Sequence, residues 1–523
     1  MRWRREPSSG ERALRDLRAA RRRHYAADFD WLDALYRVYV CAIFGAWGLA
    51  LISGALADAE VGPEGVDRIA LHGPAVLGLM VALALAAGLR SGGRGGPLAI
   101  EAPDVHHVLL APVDRGVALR GLAIRRLRTG AFVGAIAGAI AGNFAFRRLP
   151  GSPVEWLACG ALFGAAIPLA GLGGALVASG RRLRPPTVNL LAGLAIGLSC
   201  VDIALDTKLS PATMLGEVAL WPIHGSASAA LPLAGLATEA LLLAAGLGWI
   251  AGTSLEAVRS RAALTAELRF AVTLQDLRTV ILLRRQLASE RPRSRPWISP
   301  AGSPRGSAVW RRDWRSFLRW PLIRVARVGL LGAVSGLALL GAWRGTTPLV
   351  LIAGLALLVA ALDAVEPLAQ EMDHPTRRDL LPVPATQLIR THLGAPIALM
   401  IAVCALALVA IAAAGGSGPL LGVAALMVVP SAMLVLCCAA VSATNDPYAY
   451  LLTPGIGYAQ SALPFVVPVI GVGLPLLVAR EAARNGHSAI GAAFGIEVFF
   501  VLVCVAVIGW LGHRVSQQVP VAA

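Results

Sequence analysis

Lysine is all but missing from this chain: Lys208 is the single one among 47 basic residues, and the rest are arginine. A Gly-x-x-x-x-Gly-Lys-Ser/Thr phosphate loop needs a lysine in that setting, and Lys208 has no such context, so the chain holds no nucleotide-triphosphate loop of its own. His-Glu-x-x-His and Gly-x-Ser-x-Gly are absent too, and no Gly-x-Gly-x-x-Gly opens a helix after a strand. Charge is scarce. Only 15% of residues are charged, where a soluble protein carries about 25%. The seven cysteines all fall inside apolar runs with no Cys-x-x-Cys, so they read as small buried hydrophobes, not as a disulfide frame or a metal site.

What is present is apolar. The chain is 56% hydrophobic with a mean hydropathy of +0.67, and runs of about 20 apolar residues, the length that crosses the hydrocarbon as a helix, recur along it. They predict an all-α polytopic membrane protein of about twelve spans. The candidates are 35–56, 70–89, 131–147, 154–178, 187–204 and 231–251, then 326–343, 347–366, 394–414, 417–443, 461–480 and 488–512. The net charge of +16 sits in the loops between these runs, which argues for a positive-inside bias and against nucleic acid as a partner. Alternating the sides places Arg90, Arg94, Arg120, Arg125, Arg126, Arg128, Arg181, Arg182, Arg184, Arg377, Arg378 and Arg390 inside. The acidic loop with Asp58, Glu60, Glu64 and Asp67 falls outside. Both termini are therefore expected in the cytoplasm of a bacterial plasma-membrane protein. The arginine-rich N-terminus has no short apolar core followed by a cleavage site and is expected as a retained helix.

Several short matches recur in the same order in the two halves. Asp30-Trp31 and Asp313-Trp314 precede the first span of each; Gly48-Leu-Ala-Leu51 matches Gly336-Leu-Ala-Leu339; Gly248-Trp249 matches Gly509-Trp510. They predict a tandem duplication with an even number of spans per copy, so that both bundles face the same way. The domains expected are a first bundle over 1–255, a cytoplasmic helix and Pro/Ser/Arg linker over 256–307, and a second bundle over 308–523. Residues 12–34 and 308–325, rich in Trp and Arg, suit helices lying in the inner interface. The segment 205–230 contains a short amphipathic stretch, 212–222, expected at or dipping into the outer interface. Gly134, Gly138 and Gly142 are spaced for close approach of another helix.

One polar device is found twice, each copy between the second and third spans of its half. The first copy is Glu101 and Asp104, then Leu109, Leu110 and Pro112, then Arg115 and Arg120. The second is Glu371 and Asp373, then Leu380, Leu381 and Pro382, then Arg390. A repeated polar segment on one face of two membrane bundles predicts a docking surface for two copies of a soluble partner. His106, His107 and His374 lie in the same segments, and with no third ligand in sight they argue for a polar surface rather than a metal site.

Acids within the spans cost a few kcal/mol at bilayer depth and demand a reason. Glu239 in the sixth span and Glu497 in the twelfth lie at similar depth; Asp202 and Asp206 end the fifth, and Asp363 and Glu366 the eighth. Either each is held by a hydrogen bond or an arginine and stitches helices together, or Glu239 and Glu497 line a translocation path.

In this layout the chain resembles the permease half of exporters in the ABC-2 superfamily, and in its fused form a family of bacterial membrane proteins. The acid, Leu-Leu-x-Pro-Val-x-Arg and Leu-Arg pattern at 101–120 resembles that family's coupling segment, and 371–390 a shortened second copy. The resemblance implies two parallel six-helix ABC-2-type bundles, with two separate ABC ATP-binding subunits docked on the coupling residues. It also implies ATP and Mg on those partners, no cofactor on this chain, no enzymatic activity of its own, and a small or amphipathic substrate. The alternative from another class is a twelve-span secondary carrier driven by an ion gradient.

Overall fold

The computed structural model describes residues 61–93, 114–224, 229–254, 293–298, 308–373, 385–444 and 454–517. It also describes Arg12, Asp16, Ala19, Ala20, Arg23, Gly96, Glu256, Val258 and Arg259. Among the described residues there are fourteen α-helices and no strand. Ten of the helices are long and apolar enough to cross a membrane, or eleven if one bent pair counts as a span. The apolar run 35–56, the coupling-segment residues Glu101, Asp104, Leu109, Leu110 and Pro112, most of the expected interfacial helix 12–34 and most of the helix expected at 252–290 lie outside the described residues. The chain divides into two compact units, with helices α1–α6 in the first and α7–α14 in the second.

The first unit opens with α1 (Pro63–Gly92), whose first turn carries Pro63 and Glu64 and whose last carries Arg90. That order suits a helix: proline where no amide partner is needed, acid at the positive end, base at the negative end. The second helix, α2 (Arg115–Phe146), begins well before the apolar run that predicts it. The cause is local: the Asp114 carboxylate accepts the Val117 amide at 3.0 Å and caps the helix. Arg115 and Arg120 are therefore exposed positions on the first turns of a long helix and not part of a separate loop. Next come α3 (Pro153–Gly180), α4 (Pro185–Leu205), the short α5 (Pro211–His224) and α6 (Ala230–Trp249).

The glycines of α2 meet those of α3 backbone to backbone. A methyl group built on Gly134, Gly138 or Gly142 would fall 2.3 Å from the Gly164 carbonyl oxygen, 2.0 Å from that of Gly160 and 2.1 Å from that of Trp156. Only hydrogen fits, so the spacing read from sequence is a packing face. The neighbouring face of α2 presents Phe132 at 67% exposure, as a lipid-facing side chain would. Helix α5 covers the amphipathic stretch expected at or dipping into the outer interface. It packs against α1 and α6, where methyls on Gly78 and Gly235 would reach its backbone at 2.6 and 2.8 Å, and most of its middle is buried.

The second unit opens with α7 (Ala308–Leu318), strongly amphipathic. Its aromatic side chains run in edge-to-face order from Trp310 to Trp314, Phe317 and then Trp320, with centroids 5.8, 5.8 and 5.1 Å apart. The row runs from an exposed to a buried end: Phe317 and Trp320 are buried, while Trp310 is exposed yet lies against Gly394. The linker expected at 291–307 is partly structured, since Trp297 donates its amide to Leu318 O at 2.9 Å and its indole to Trp320 O at 2.9 Å. Then follow α8 (Leu322–Trp343), α9 (Leu349–Ala364), α10 (Glu366–Asp373), α11 (Ala385–Ala413), α12 (Gly418–Thr444), α13 (Pro454–Arg484) and α14 (Ala489–Gln517). The expected span 347–366 ends in a 54° bend between α9 and α10. Arg390 stands in α11 and is exposed, where a loop position was expected. The core of this unit is aliphatic, with Leu358, Met400, Val435 and Leu476 at most 1% exposed.

Candidate functional site

The buried acids separate into two kinds. Asp202, in the last turn of α4, is fully buried and saturated with donors: the Thr207 hydroxyl at 2.7 Å and the amides of Leu209 and Ser210 at 3.0 and 2.9 Å. It ties the tight connection from α4 to α5, a structural task. Glu217 of α5 is 2% exposed and flanked by Lys208 Nζ at 2.5 Å and His224 Nδ1 at 3.2 Å, so the one lysine of the chain neutralises a buried carboxylate. Asp206, exposed at the end of α4, is 2.6 Å from His72.

In the second unit a polar cluster joins α7, α8, α9, α10 and α11. Arg327 donates to Asp363 at 2.8 Å, and Arg324 reaches the Asp363 carbonyl at 2.8 Å and pairs with Glu366 while lying over the Trp320 ring. These contacts hold both sides of the α9–α10 bend, which explains why the span breaks there. Arg312 pairs with Glu371 at 2.6 Å, and His392 meets Asp313 at 2.9 Å with both side chains wholly buried. Glu371, expected on a docking surface, is thus only 3% exposed and held inside its own unit. Asp373 ends α10, while Leu380, Leu381 and Pro382 lie outside the described residues. Sequence reasoning misses His392, because its partner is 79 residues away and nothing local marks it.

Glu239 and Glu497 are the second kind. Glu239 is 7% exposed and Glu497 2%, and in each Oε1 is buried with no hydrogen-bond partner among the described residues. Glu239 shares a face of α6 with Gly235 and Gly246. A methyl on Gly235 would come 2.8 Å from the α5 backbone, and one on Gly246 2.8 Å from the Leu176 side chain of α3. The acid therefore sits on the face that α6 turns to α5 and α3. Glu497 shares its face of α14 with Ala493, Phe500 and Cys504, and the last two pack against Leu434 and Cys437 of α12. Each acid thus lies in the last long helix described in its unit, turned into helix packing, and they line neither of two cavities: one of about 1090 Å³ in the first unit and one of about 20 Å³ in the second.

No group of three metal-ligating side chains is present among the described residues. Outside the spans, Arg148 in the α2–α3 connection is half-buried with Nε and Nη2 unpartnered among the described residues, and burial lowers its pKa.

No family model and no curated protein sequence matches this chain. Among solved structures, one described as a MATE in complex with Br-NRF is similar, with 14% identity over 89% of this chain and 90% of that one and a TM-score of 0.28. So low a score fixes neither the fold nor the activity of this chain. Neither the family models nor the curated sequences support the expected ABC-2 membership, exporter function and paired ATP-binding subunits, and those expectations are withdrawn. The burial of Glu371 against Arg312 gives a physical reason: an acid engaged inside its unit is not offered to a soluble partner.

Proposed function

We propose that this chain is a multi-pass membrane carrier driven by an ion gradient, with Glu239 and Glu497 as the groups that take up and release the coupling ion. One observation carries the reading: each unit buries, in its last described long helix, a carboxyl group that has no ion pair among the described residues and carries an oxygen that no hydrogen bond satisfies. An unsatisfied buried polar atom costs about 1–3 kcal/mol and calls for an explanation, and membrane-embedded carboxyls mark ion and proton pathways. The other deeply buried acids have partners: Asp202 by hydrogen bonds, Asp363 with Arg327, Glu217 with Lys208, Asp313 with His392 and Glu371 with Arg312, although one oxygen of each of the last three also lacks a hydrogen bond. Carboxyls of this sort bind a proton or a small cation in turn with an amphipathic or cationic substrate, and a carrier needs only that the two states bind them differently. In this reading the halves 1–255 and 308–523 are the two arms of the carrier. In this reading, which the arginine bias supports, both termini lie in the cytoplasm of a bacterial cell, and the carrier works without a cofactor or enzymatic centre of its own.

The test uses everted vesicles holding the full chain, with ethidium as the probe. Ethidium accumulation that follows an imposed pH gradient, collapses with a protonophore and falls at least tenfold in the Glu239→Gln, Glu497→Gln double variant supports the reading. Accumulation that needs added ATP and no gradient, or that the double variant leaves intact, rejects it.

A further inference from the structure

The first unit holds a groove of about 1090 Å³ on the joint surface of α1, α2 and α3. On α2 its wall is Arg126, Thr129 and then small residues at every third or fourth position, including Gly134, Ala137 and Ala141, as far as Ala145. That is one face of the helix. From residue 126 to 145 the helical rise of about 1.5 Å per residue gives roughly 28 Å, close to the thickness of the hydrocarbon. Wall chemistry changes along this length. Ser91, Arg126 and Thr129 gather at one end; beyond them glycine, alanine and aliphatic residues run to Trp156. Arg126 is the one charged residue in the lining, no acid lines the groove, and Arg126 has no ion pair among the described residues. Arg125 and Arg128 beside it are exposed and carry no ion pair among the described residues either.

We infer that this groove is a binding site for an anionic glycerophospholipid from the surrounding bilayer, its phosphate at Arg126 and an acyl chain along Gly134, Ala137 and Ala141. Charge complementarity selects the occupant: a membrane-depth slot with apolar walls and, at one rim, a guanidinium with no ion pair among the described residues matches a molecule with one long apolar chain and an anionic head. Basic pockets between helices at a membrane surface bind such headgroups. The volume stands at the upper end of known small-ligand pockets, with room for an extended chain. This site is separate from Glu239 and Glu497 and does not depend on the carrier reading.

The experiment places the full chain in nanodiscs doped with phosphatidylglycerol or phosphatidylcholine, each with a photoactivatable acyl chain, and maps the adducts by peptide mass spectrometry. Phosphatidylglycerol is expected to label the peptides of α1, α2 and α3 about fivefold more than phosphatidylcholine, the preference one arginine confers at a membrane surface. Arg126→Gln is expected to abolish that preference while keeping the labelling by phosphatidylcholine. Ala137→Trp and Ala141→Trp, both at exposed positions that tolerate bulk, are expected to clear the groove of adducts and leave those on the lipid-facing side of α14. Equal labelling by the two lipids in the parent chain, or adducts indifferent to the tryptophans, means ordinary annular lipid and overturns the inference.

Discussion

The contact between α2 and α3 invites a single-methyl test. Gly138→Ala adds one carbon that would stand 2.0 Å from the Gly160 carbonyl oxygen, 2.8 Å from the Gly160 carbonyl carbon and 2.8 Å from Gly164 Cα. All three are backbone atoms, so no side chain can rotate away, and the two helices must separate by roughly 1 Å to restore van der Waals distance. Overpacking of this kind costs about 1–3 kcal/mol, and here it also loosens the flanking contacts at Gly134 and Gly142. The alanine gains at most about 1 kcal/mol in helix propensity, which offsets the smaller estimates only. Because every clashing atom is backbone, the cost stands at the upper end, about 2–3 kcal/mol, or about 1–2 kcal/mol net of propensity; at about 2–4 °C per kcal/mol for a unit of this size, the expected fall in Tm is about 2–8 °C. The control is Gly197→Ala in α4, where a new methyl meets nothing within 4 Å. With propensity alone acting, that variant should melt at the parent temperature or slightly above it. Scanning fluorimetry in one detergent compares the two directly. Equal melting temperatures for Gly138→Ala and Gly197→Ala would refute the close-contact account of α2 and α3.

Asp202→Ala strips the acceptor from two backbone amides and a hydroxyl, so a loss of at least about 2 kcal/mol is expected, with Asp202→Asn losing about half as much; chemical denaturation reads both. Asp363→Ala leaves the buried Arg324 and its neighbour Arg327 short of a carboxylate at the α9–α10 bend, and about 3 kcal/mol should be lost, visible as a lower Tm. Glu239→Gln and Glu497→Gln should behave in the opposite way, with stability within about 1 kcal/mol of the parent, because neither removes a hydrogen bond seen in the fold. If those two variants unfold while Asp202→Ala and Asp363→Ala do not, the division into structural and functional acids is wrong.

Local features of the chain mark it as a helical membrane protein, locate most of its spans and give α2 a glycine face for a close neighbour. Those features rest on local quantities: hydropathy over about 20 residues, capping, and spacing along one helix. The sequence also raised Glu239 and Glu497, since a carboxyl within an apolar run is visible without a partner. It could not separate them from Asp202 and Asp363. That distinction depends on donors brought in by the chain's return, such as the amides of Leu209 and Ser210 or the guanidinium of Arg327 on a neighbouring helix. Glu371 misled for the same reason. Glu371 reads as an exposed acid along the chain, and only folding brings Arg312 to it and takes it out of water. His392 with Asp313 and the groove beside Arg126 have no local signature at all, because each is made by side chains whose separation in sequence says nothing of their distance in space.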